Sequence, residues 1–476
     1  MKFSRHFHLS QSQAELDFVD ITINEDTTLF VDPTTFGDRE DEWSTRCHNL
    51  VVSFFQSAID AIRAGHNDRA VALLNNLSEP NETCLGFSSA RPSGRGVGGQ
   101  QAADLHQRLA ASRAVRTGML TDLQECELLV PGIGPDKISD ITTNIIRVAL
   151  IEYTQDQCRL HGIPLRGTVA SGLLWDPHNH RWHQQHVPLP VVGGKKLLLV
   201  PKFSVRYGLA YSHGEFYQHY VLNFLQDQYL SSGNALVHVL KSGERVVYKN
   251  AVSERHPLSK EFLFEFSTHN PGVLRRYKAE HHGSRPPTNA ELDVRLDEPA
   301  LARALSAELR EIPSGDDNAT TYHRLMKGVL TFLFYPSLIY PQVEAEIHDG
   351  RKRIDILFVN SADSGFFRRL PTTRRITAVR IPVECKNYTS DPGNPELDQL
   401  AGRFSPNRGW VGILTARTFR NRDQFIRRCR DTAQEERGFI IPLVDDDICA
   451  MLEMVERNRR VEIDGYIEAI FGRLIT

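Results

Sequence analysis

The last third of the chain alternates apolar and polar positions in a way that predicts a short series of helices and strands. Residues 322–338 carry apolar side chains at helical spacing, and residues 342–347 alternate apolar and acidic side chains as a half-buried strand does. Residues 348–350 (His-Asp-Gly) predict a hairpin turn, and residues 353–359 predict the second strand of that hairpin. Further strands are predicted at residues 378–385, 409–415 and 438–444. Each of them is followed by a predicted helix, which begins at Asn394 after the first strand and covers residues 424–435 and 446–459 after the other two.

Three charged residues lie within or at the ends of these predicted strands. Asp355 lies in the apolar run R-I-D-I-L-F, and Glu384 and Lys386 end the run I-P-V-E-C-K. Because a strand alternates its two faces, Glu384 and Lys386 point the same way and Cys385 points the other way. Two paired strands would bring both carboxylates and the ammonium group together. Carboxylates bind hard cations that activate water, and a lysine stabilises developing negative charge, so the trio predicts phosphodiester hydrolysis.

An Asp followed by Glu-x-Lys on neighbouring strands, in this order of elements, resembles the PD-(D/E)xK nuclease superfamily, the fold of many restriction endonucleases. The match is closest to its Mrr-like restriction branch and covers roughly the last 165 residues. The resemblance implies that Asp355 and Glu384 bind the metal, Mg²⁺ or Mn²⁺, and that Lys386 is the catalytic lysine. It also implies that Gln399, on the next helix, helps to place the water or the phosphate.

The chain departs from the family pattern at two positions. Ile354 stands where the motif has a proline before the aspartate. Many members also carry a glutamate on the first helix, where this chain has no glutamate and offers only His323 as a polar substitute. Glu346, on the first predicted strand, could complete the metal shell instead. The third metal ligand therefore stays open between these two residues.

Basic residues are concentrated around the predicted metal site. Residues 320–430 contain roughly 19 basic and 10 acidic residues, whereas the whole chain has a net charge of −3. Arginine suits bidentate contacts with phosphate, so the excess predicts binding of nucleic acid. The family resemblance implies DNA in preference to RNA. The alternative is a solvated surface of mixed sign. The residues predicted to bind nucleic acid are Arg351, Lys352, Arg353, Arg403 and Arg417.

A purely structural interpretation of the same residues competes with the catalytic one. Asp355 could pair with Arg351 or Arg353, and Glu384 with Lys386, as surface ion pairs that contribute little free energy. Gln399 and Glu346 would then be ordinary solvent-facing residues. The sequence predicts that Glu384 and Lys386 end a central, buried strand. Burying a charged side chain there costs free energy unless it is paired or binds a ligand. This cost favours the catalytic interpretation.

Length and composition place the chain among globular proteins with two or three domains. It has 476 residues, of which 41% are hydrophobic and 24% charged. No apolar run approaches the eighteen residues of a spanning helix, and the start has no signal-peptide core. Seven cysteines are scattered without paired spacing, which predicts a reducing cytosol and a cytoplasmic protein that makes no membrane contact.

The fold class predicted is mixed α/β. A restriction-endonuclease-like core at residues 300–476, with a mixed central sheet flanked by helices, follows a large mixed α/β region. That region divides into helix-rich residues 1–165 and β-rich residues 166–290, which could form one accessory module. Three segments leave a binding role open beside a structural one: the glycine-rich residues 88–100, the turn-like residues 129–138, and the histidines at 178, 180, 183 and 186.

The sequence thus predicts a metal-dependent DNA endonuclease whose N-terminal region recognises the target or regulates cleavage. The resemblance implies a bacterial restriction or anti-phage defence effector, with a homodimer and defence-system partner proteins as further expectations. Two alternatives stay open. One is a nuclease of DNA repair or recombination, and the other is a non-catalytic nucleic-acid-binding protein that keeps the nuclease fold.

Overall fold

The structure is a computed structural model of the whole chain. It describes residues 1–37, 39, 41–86, 99–120, 122–233, 235–281, 285–347 and 352–475. The side chains of residues 99–103, 344–347 and 352–353 lie outside this description. The predicted turn at residues 348–350 and most of the glycine-rich segment at residues 88–100 also lie outside the described residues.

The chain divides into two compact units. The N-terminal unit comprises Met1–Phe3, Ile21–Val200 and Ser204–Arg285, and the C-terminal unit comprises Ser4–Asp20, Pro201–Phe203 and Pro286–Thr476. The C-terminal unit is therefore built from three separate stretches of the sequence. A boundary drawn at a single position would miss the two short stretches that belong to it.

The N-terminal unit is mainly helical and carries small two-stranded sheets. Strand β1 pairs with β6, β2 with β3, β4 with β5, and β7 with β8. A π-helix, Phe216–Val221, joins α10 to α11. After α1 (Phe3–His6), its elements are β1 (Phe30–Val31), α2 (Thr34–Gly37), α3 (Glu42–Arg63), α4 (Asn67–Leu74), α5 (Gly99–Ala111), α6 (Arg113–Arg116), α7 (Glu125–Leu129), α8 (Pro135–Ile145), α9 (Arg147–His161), β2 (Arg166–Asp176), β3 (Arg181–Leu189), β4 (Val191–Val192), β5 (Lys195–Lys196), β6 (Val205–Arg206), α10 (His213–Glu215), α11 (Leu222–Ser232), β7 (His238–Val239), β8 (Arg245–Val246), α12 (Lys249–Arg255), α13 (Lys260–His269) and α14 (Pro271–His281).

The C-terminal unit is built around a five-stranded sheet of order β13-β12-β11-β10-β9. Strand β10 is antiparallel to β9 and to β11, whereas β11, β12 and β13 run parallel. This mixed sheet confirms the prediction of a mixed α/β fold. The elements are α15 (Asn289–Leu292), α16 (Glu298–Glu311), α17 (Ala319–Phe334), β9 (Leu338–Ile347), β10 (Lys352–Asn360), α18 (Gly365–Thr372), β11 (Arg380–Lys386), α19 (Asn394–Ala401), β12 (Val411–Ala416), α20 (Arg422–Gln434), β13 (Phe439–Val444), α21 (Asp445–Glu456) and α22 (Glu462–Ile475).

One apolar core lies on both sides of this sheet. Its buried members include Phe332 of α17, Val383 of β11 and Phe471 of α22. Strands β11 and β12 are almost continuously buried, because parallel strands covered by helices on both faces read as apolar runs. The strand that carries Glu384 and Lys386 is therefore central, as its sequence predicts.

Two helices differ from the sequence prediction. Helix α18 lies between β10 and β11 in a segment for which no element was predicted. Helix α22 follows α21 as a separate closing helix. Helix α19 begins at Asn394, as the sequence predicts, with Gly393 at its N-cap. Pro395 lies in the first turn of this helix, where proline is accepted.

The buried lysine Lys202 is an unusual feature of the C-terminal unit. Its Nζ lies 3.1 Å from Asn289 Oδ1, 3.2 Å from the carbonyl oxygen of Ala14 and 4.0 Å from the centre of the Tyr335 ring. Burial lowers the pKa of Lys202 from 10.5 to about 7, against the opposing influence of Asp17. Between about pH 7 and 10.5, the folded unit has therefore released a proton from Lys202 that the unfolded chain still binds.

Stability of the C-terminal unit should consequently rise with pH above neutrality. Between pH 7 and 10 the unfolded chain binds more protons at Lys202 than the folded chain does, which adds up to about 1.4 kcal/mol per pH unit. Urea unfolding measured at several pH values should show this slope. Lys202→Met should reduce the slope to the part contributed by Lys327, whose pKa burial lowers to about 8 in the same unit, while Lys241→Met, at an exposed lysine, should leave the slope unchanged. Equal slopes in wild type and Lys202→Met would contradict the assignment.

Candidate active site

The register of the central strands brings Asp355 and Glu384 side by side. Ile356 of β10 lies opposite Val383 of β11, so the next pair along this antiparallel ladder is Asp355 and Glu384. Asp355 Oδ2 accepts a hydrogen bond from the backbone N–H of Cys385 at 2.8 Å. The carboxylate of Asp355 is therefore fixed to the strand that carries Glu384. Two carboxylates that are 29 positions apart in sequence meet at one place on the sheet.

Lys386 and Gln399 complete a compact hydrogen-bonded group with Glu384. Lys386 Nζ donates to Glu384 Oε1 at 2.8 Å and to Gln399 Oε1 at 3.2 Å. Gln399 Nε2 donates to the same Glu384 oxygen at 2.5 Å. Gln399 is exposed on α19, whereas Glu384 is 1% exposed and Lys386 9% exposed. The structure thus places three of the four predicted catalytic side chains in mutual contact, with Asp355 next to them.

Burial and neighbouring charges shift the acid-base properties of this group. Burial, followed by the charge of Asp355, raises the pKa of Glu384, while Lys386 and Arg403 oppose the rise. Burial lowers the pKa of Lys386, but Glu384 outweighs that effect, and the pKa of Lys386 lies above its ordinary value. Lys386 is therefore an ammonium donor at neutral pH and not a base.

His323 lies at the same place from the side of α17. Its Nε2 lies 2.8 Å from the carbonyl oxygen of Cys385 and 3.9 Å from Asp355 Oδ2. A protonated Nε2 donates to that carbonyl, so this nitrogen has no lone pair free for a metal. Of the two candidates for a third metal ligand, His323 is thus used in a hydrogen bond. The side chain of the other, Glu346, lies outside the described residues.

The carboxylates fit a divalent cation in one specific respect. Glu384 Oε2 is buried and accepts no hydrogen bond from any described residue. A buried carboxylate oxygen without a donor is costly, and two adjacent carboxylates repel each other. A cation would satisfy both. No group of three His, Cys, Asp or Glu residues that could hold a metal is found among the described residues, so these two acids would hold an ion that keeps several of its waters, as Mg²⁺ does.

The residues predicted to bind nucleic acid have different surroundings. Arg403 is 7% exposed, with its Nε buried and unpartnered among the described residues. Arg417 is largely buried and pairs with Asp445 at 2.8 Å. Neither side chain presents a free guanidinium at the surface. Arg351 and the side chains of Lys352 and Arg353 lie outside the described residues.

Other arginines of the basic region divide into paired and unpaired ones. Arg369 and Arg374 pair with Glu468, and Arg422 pairs with Asp447 at 2.7 Å. Part of the local positive charge is therefore neutralised within the unit. The exposed arginines of residues 320–430 that form no ion pair with any described residue include Arg368, Arg375, Arg420 and Arg427. These side chains can contact phosphate.

Sequence reasoning missed Asn387, which directly follows Lys386. Its Nδ2 donates to the carbonyl oxygens of Pro313 and Gly315 at 3.0 Å and 2.7 Å. Its own carbonyl accepts from the backbone N–H of Gly315 at 2.7 Å. A polar residue directly after a buried central strand was the available signal, because such a residue must find partners at the edge of the sheet.

Two of the segments that left a binding role open in the sequence lie among the described residues of the N-terminal unit. The histidines at positions 178, 180, 183 and 186 lie in or beside the turn and the strands of the β2–β3 hairpin. Of these, His180 Nδ1 lies 2.7 Å from Ser57 Oγ. Residues 129–138 span the end of α7, the connection at residues 130–134 and the first turn of α8. In the described part of the chain, no helix is long and apolar enough to cross a membrane.

Comparison with known proteins gives a match to a family of unknown function. Residues 8–212 match a domain of unknown function (DUF8370). No curated protein and no solved structure matches the chain. The match ends well before Asp355, so it bears on most of the N-terminal unit and not on the candidate active site.

Binding of a divalent cation should be measurable without any assay of activity. Mg²⁺ or Mn²⁺ at a hundredfold excess over Kd should stabilise the C-terminal unit by about 2.7 kcal/mol, seen as a rise in Tm. Glu384→Gln should abolish the rise, because it removes one of the two carboxylates. Glu125→Gln, at another buried glutamate paired with a lysine, is the matched control and should keep it. An equal rise in both variants would place the ion elsewhere.

Proposed function

We propose that the chain is a metal-dependent endonuclease that hydrolyses phosphodiester bonds of DNA. The observation that carries this proposal is the contact of Glu384, Lys386 and Gln399 beside Asp355 on the two central strands. Simple surface ion pairs do not account for it. Glu384 is almost fully buried and keeps one oxygen without a donor among the described residues.

Asp355 and Glu384 are the residues that would hold the cation. A divalent ion at this place supplies a Lewis acid for the phosphoryl oxygen and a more acidic water. Asp355 is held in position by the N–H of Cys385, and Glu384 by Lys386 and Gln399. Among the described residues these contacts use Asp355 Oδ2 and Glu384 Oε1. Asp355 Oδ1 and Glu384 Oε2 are therefore the oxygens that would bind an ion.

Lys386 acts in this proposal as a fixed positive charge. Its raised pKa keeps it protonated, so it stabilises negative charge that develops on the phosphate oxygens as water attacks. Preorganised donors of this kind are worth about 100-fold or more in rate in other enzymes. Gln399 bridges Lys386 and Glu384 while staying exposed, which suits it to orient the attacking water or the phosphate at the mouth of the site.

The substrate class rests on the charge of the C-terminal unit. The unpaired, exposed arginines offer sequence-independent contacts with a phosphate backbone. Binding through several of them should weaken steeply with salt. DNA is proposed in preference to RNA. By analogy with the resembled nucleases, the biological role would be bacterial restriction or anti-phage defence, with the N-terminal unit as the recognising or regulating part.

Cleavage of supercoiled plasmid in Mg²⁺ tests this function. Wild type should nick or linearise the plasmid, and Lys386→Met should lower the rate at least about 100-fold. Lys278→Met is the matched control, because Lys278 pairs with the buried Glu125 in the N-terminal unit. That variant should cleave at a rate close to that of wild type.

Three outcomes of this assay, extended to other DNA substrates and to RNA, would favour a different function. Binding of DNA without nicking, over a panel of duplex, single-stranded and methylated substrates, would favour a non-catalytic binding protein. Cleavage of RNA with DNA left intact would replace the substrate. Undiminished cleavage by Lys386→Met would remove the proposed catalytic group altogether.

A further inference from the structure

Three polar residues occupy equivalent positions at the carboxyl edge of the sheet. Asn387, Arg417 and Asp445 are the first residues after β11, β12 and β13, and these strands are parallel neighbours. The ladder pairs Lys386 with Ala416 and Ala416 with Val444. The three polar residues therefore follow one another across the sheet, one step beyond its last hydrogen-bonded row.

Hydrogen bonds join these residues into one chain. Arg417 Nη1 donates to Asn387 Oδ1 at 3.2 Å, and Arg417 Nε pairs with Asp445 Oδ2 at 2.8 Å. Tyr322 of α17 donates its hydroxyl to Asp445 Oδ1 at 3.1 Å, and its ring lies 5.2 Å from the Arg417 guanidinium. We call Asn387, Arg417, Asp445 and Tyr322 the Asn387 network.

Asn387 is also tied to the loop between α16 and α17. Both N–H groups of its side chain are used, by the carbonyl oxygens of Pro313 and Gly315. Arg417 reaches the same region, because its Nη2 donates to the carbonyl of Leu309 at 3.3 Å. The end of β11 is thus held from two directions by contacts that none of the proposed catalytic groups makes.

The geometry points to Asn387 as a positioning residue that fixes Lys386 at the end of β11, with Arg417, Asp445 and Tyr322 as its support. Lys386 is the last residue of the strand, where a ladder normally frays. Its ammonium must stay between Glu384 Oε1 and Gln399 Oε1. Anchoring the next residue through its side chain and its backbone keeps the strand end from moving away from both.

The Asn387 network also explains why the Arg417 guanidinium is not free to contact phosphate. Its guanidinium is used by Asn387, Leu309 and Asp445 and packs against Tyr322, so it is part of the scaffold rather than a phosphate contact. Burial raises the pKa of Asp445 to about 6, despite the opposing charge of Arg417. Removing either partner leaves the other buried and unpaired, which is costly. These residues hold one another in place at the edge that carries Lys386.

Asn387→Ala is the decisive variant, and Asn360→Ala is its matched control. Asn360 follows the same pattern at the far end of β10, because its Nδ2 donates to the carbonyls of Phe367 and Ala378 at 3.0 Å and 2.9 Å. Each change removes two side-chain hydrogen bonds to backbone carbonyls. Both variants should show a similar fall in Tm, because each loses the same kind of contact. A difference in behaviour at residues 384–388 would then reflect the position of the strand end and not a difference in overall stability.

Hydrogen–deuterium exchange of the full chain tests the positioning itself, without reference to activity. Asn387→Ala should speed exchange of the amides at residues 384–388 at least about tenfold, because the strand end loses its anchor. Asn360→Ala should leave these amides at wild-type rates and affect residues 358–380 instead. If both variants exchange alike at residues 384–388, Asn387 has no positioning role.

The consequence for catalysis rests on the proposed nuclease function and is measured separately. Asn387→Ala should lower kcat about 10- to 100-fold with KM nearly unchanged, since small displacements of a catalytic group cost that much. Added to Lys386→Met, it should cause no further loss, because it acts through Lys386. Wild-type turnover in Asn387→Ala would overturn the inference. A wild-type chain that cleaves no nucleic acid would reject the nuclease function, and the exchange result alone would then decide the positioning role.

Discussion

The buried ion pair of Glu384 and Lys386 sets the demands that the surrounding structure meets. Removing two charges from water costs several kcal/mol per ion, and attraction offsets this only where geometry is good and other hydrogen bonds are made. Gln399 supplies those bonds by contacting both partners. Asp355, a second carboxylate held by the N–H of Cys385, adds a repulsion that raises the pKa of Glu384 and that Lys386 and Arg403 oppose. A further positive charge beside the two carboxylates would lower this repulsion.

The central position of strand β11 in the sheet brings the partners of this ion pair together. Strand β11 has hydrogen-bonded neighbours on both sides, β10 antiparallel and β12 parallel. The antiparallel neighbour delivers Asp355, and the parallel neighbour shares the carboxyl edge, where side chains of successive loops converge. Because α17 packs on the same strand, His323 reaches the carbonyl of Cys385. The end of β11 is thus contacted by Asp355 of β10, by Arg417 at the end of β12 and by His323 of α17.

The sequence predicted the parts of this site that depend on local pattern. Alternation along residues 378–385 placed Glu384 and Lys386 on one face, and the spacing of apolar runs gave the order of strands around them. The surroundings of individual arginines were not predictable in this way. Arg403 and Arg417 look like phosphate-binding residues in sequence, yet one is buried and the other is tied to Asp445. Charge composition counts residues, whereas only three-dimensional packing decides which charges are already paired.

The same reason explains two structural features that the pattern did not predict. Helix α18 is amphipathic but contains Pro371, and proline normally interrupts a helix. In α18 it lies in the last turn, next to the final residue Thr372. The stretch Ser4–Asp20 belongs to the C-terminal unit although it ends 266 positions before the main stretch of that unit begins at Pro286. Its contacts, such as the bond of the Tyr340 N–H to Asp17 Oδ1 at 3.0 Å, join residues that no local periodicity can relate.

Exposure at the site limits how a substrate can approach under the proposed function. Glu384 is buried beneath its partners, while Gln399 is exposed and the side chain of Asp355 is 23% exposed. A phosphate would therefore meet Gln399 and Asp355 before it comes near Glu384. Gln399 is hydrogen-bonded to both members of the buried pair, so any group that displaces its amide also changes the partners of Lys386. Under the proposed function, substrate binding and the hydrogen bonding of Lys386 would therefore be coupled through the Gln399 side chain.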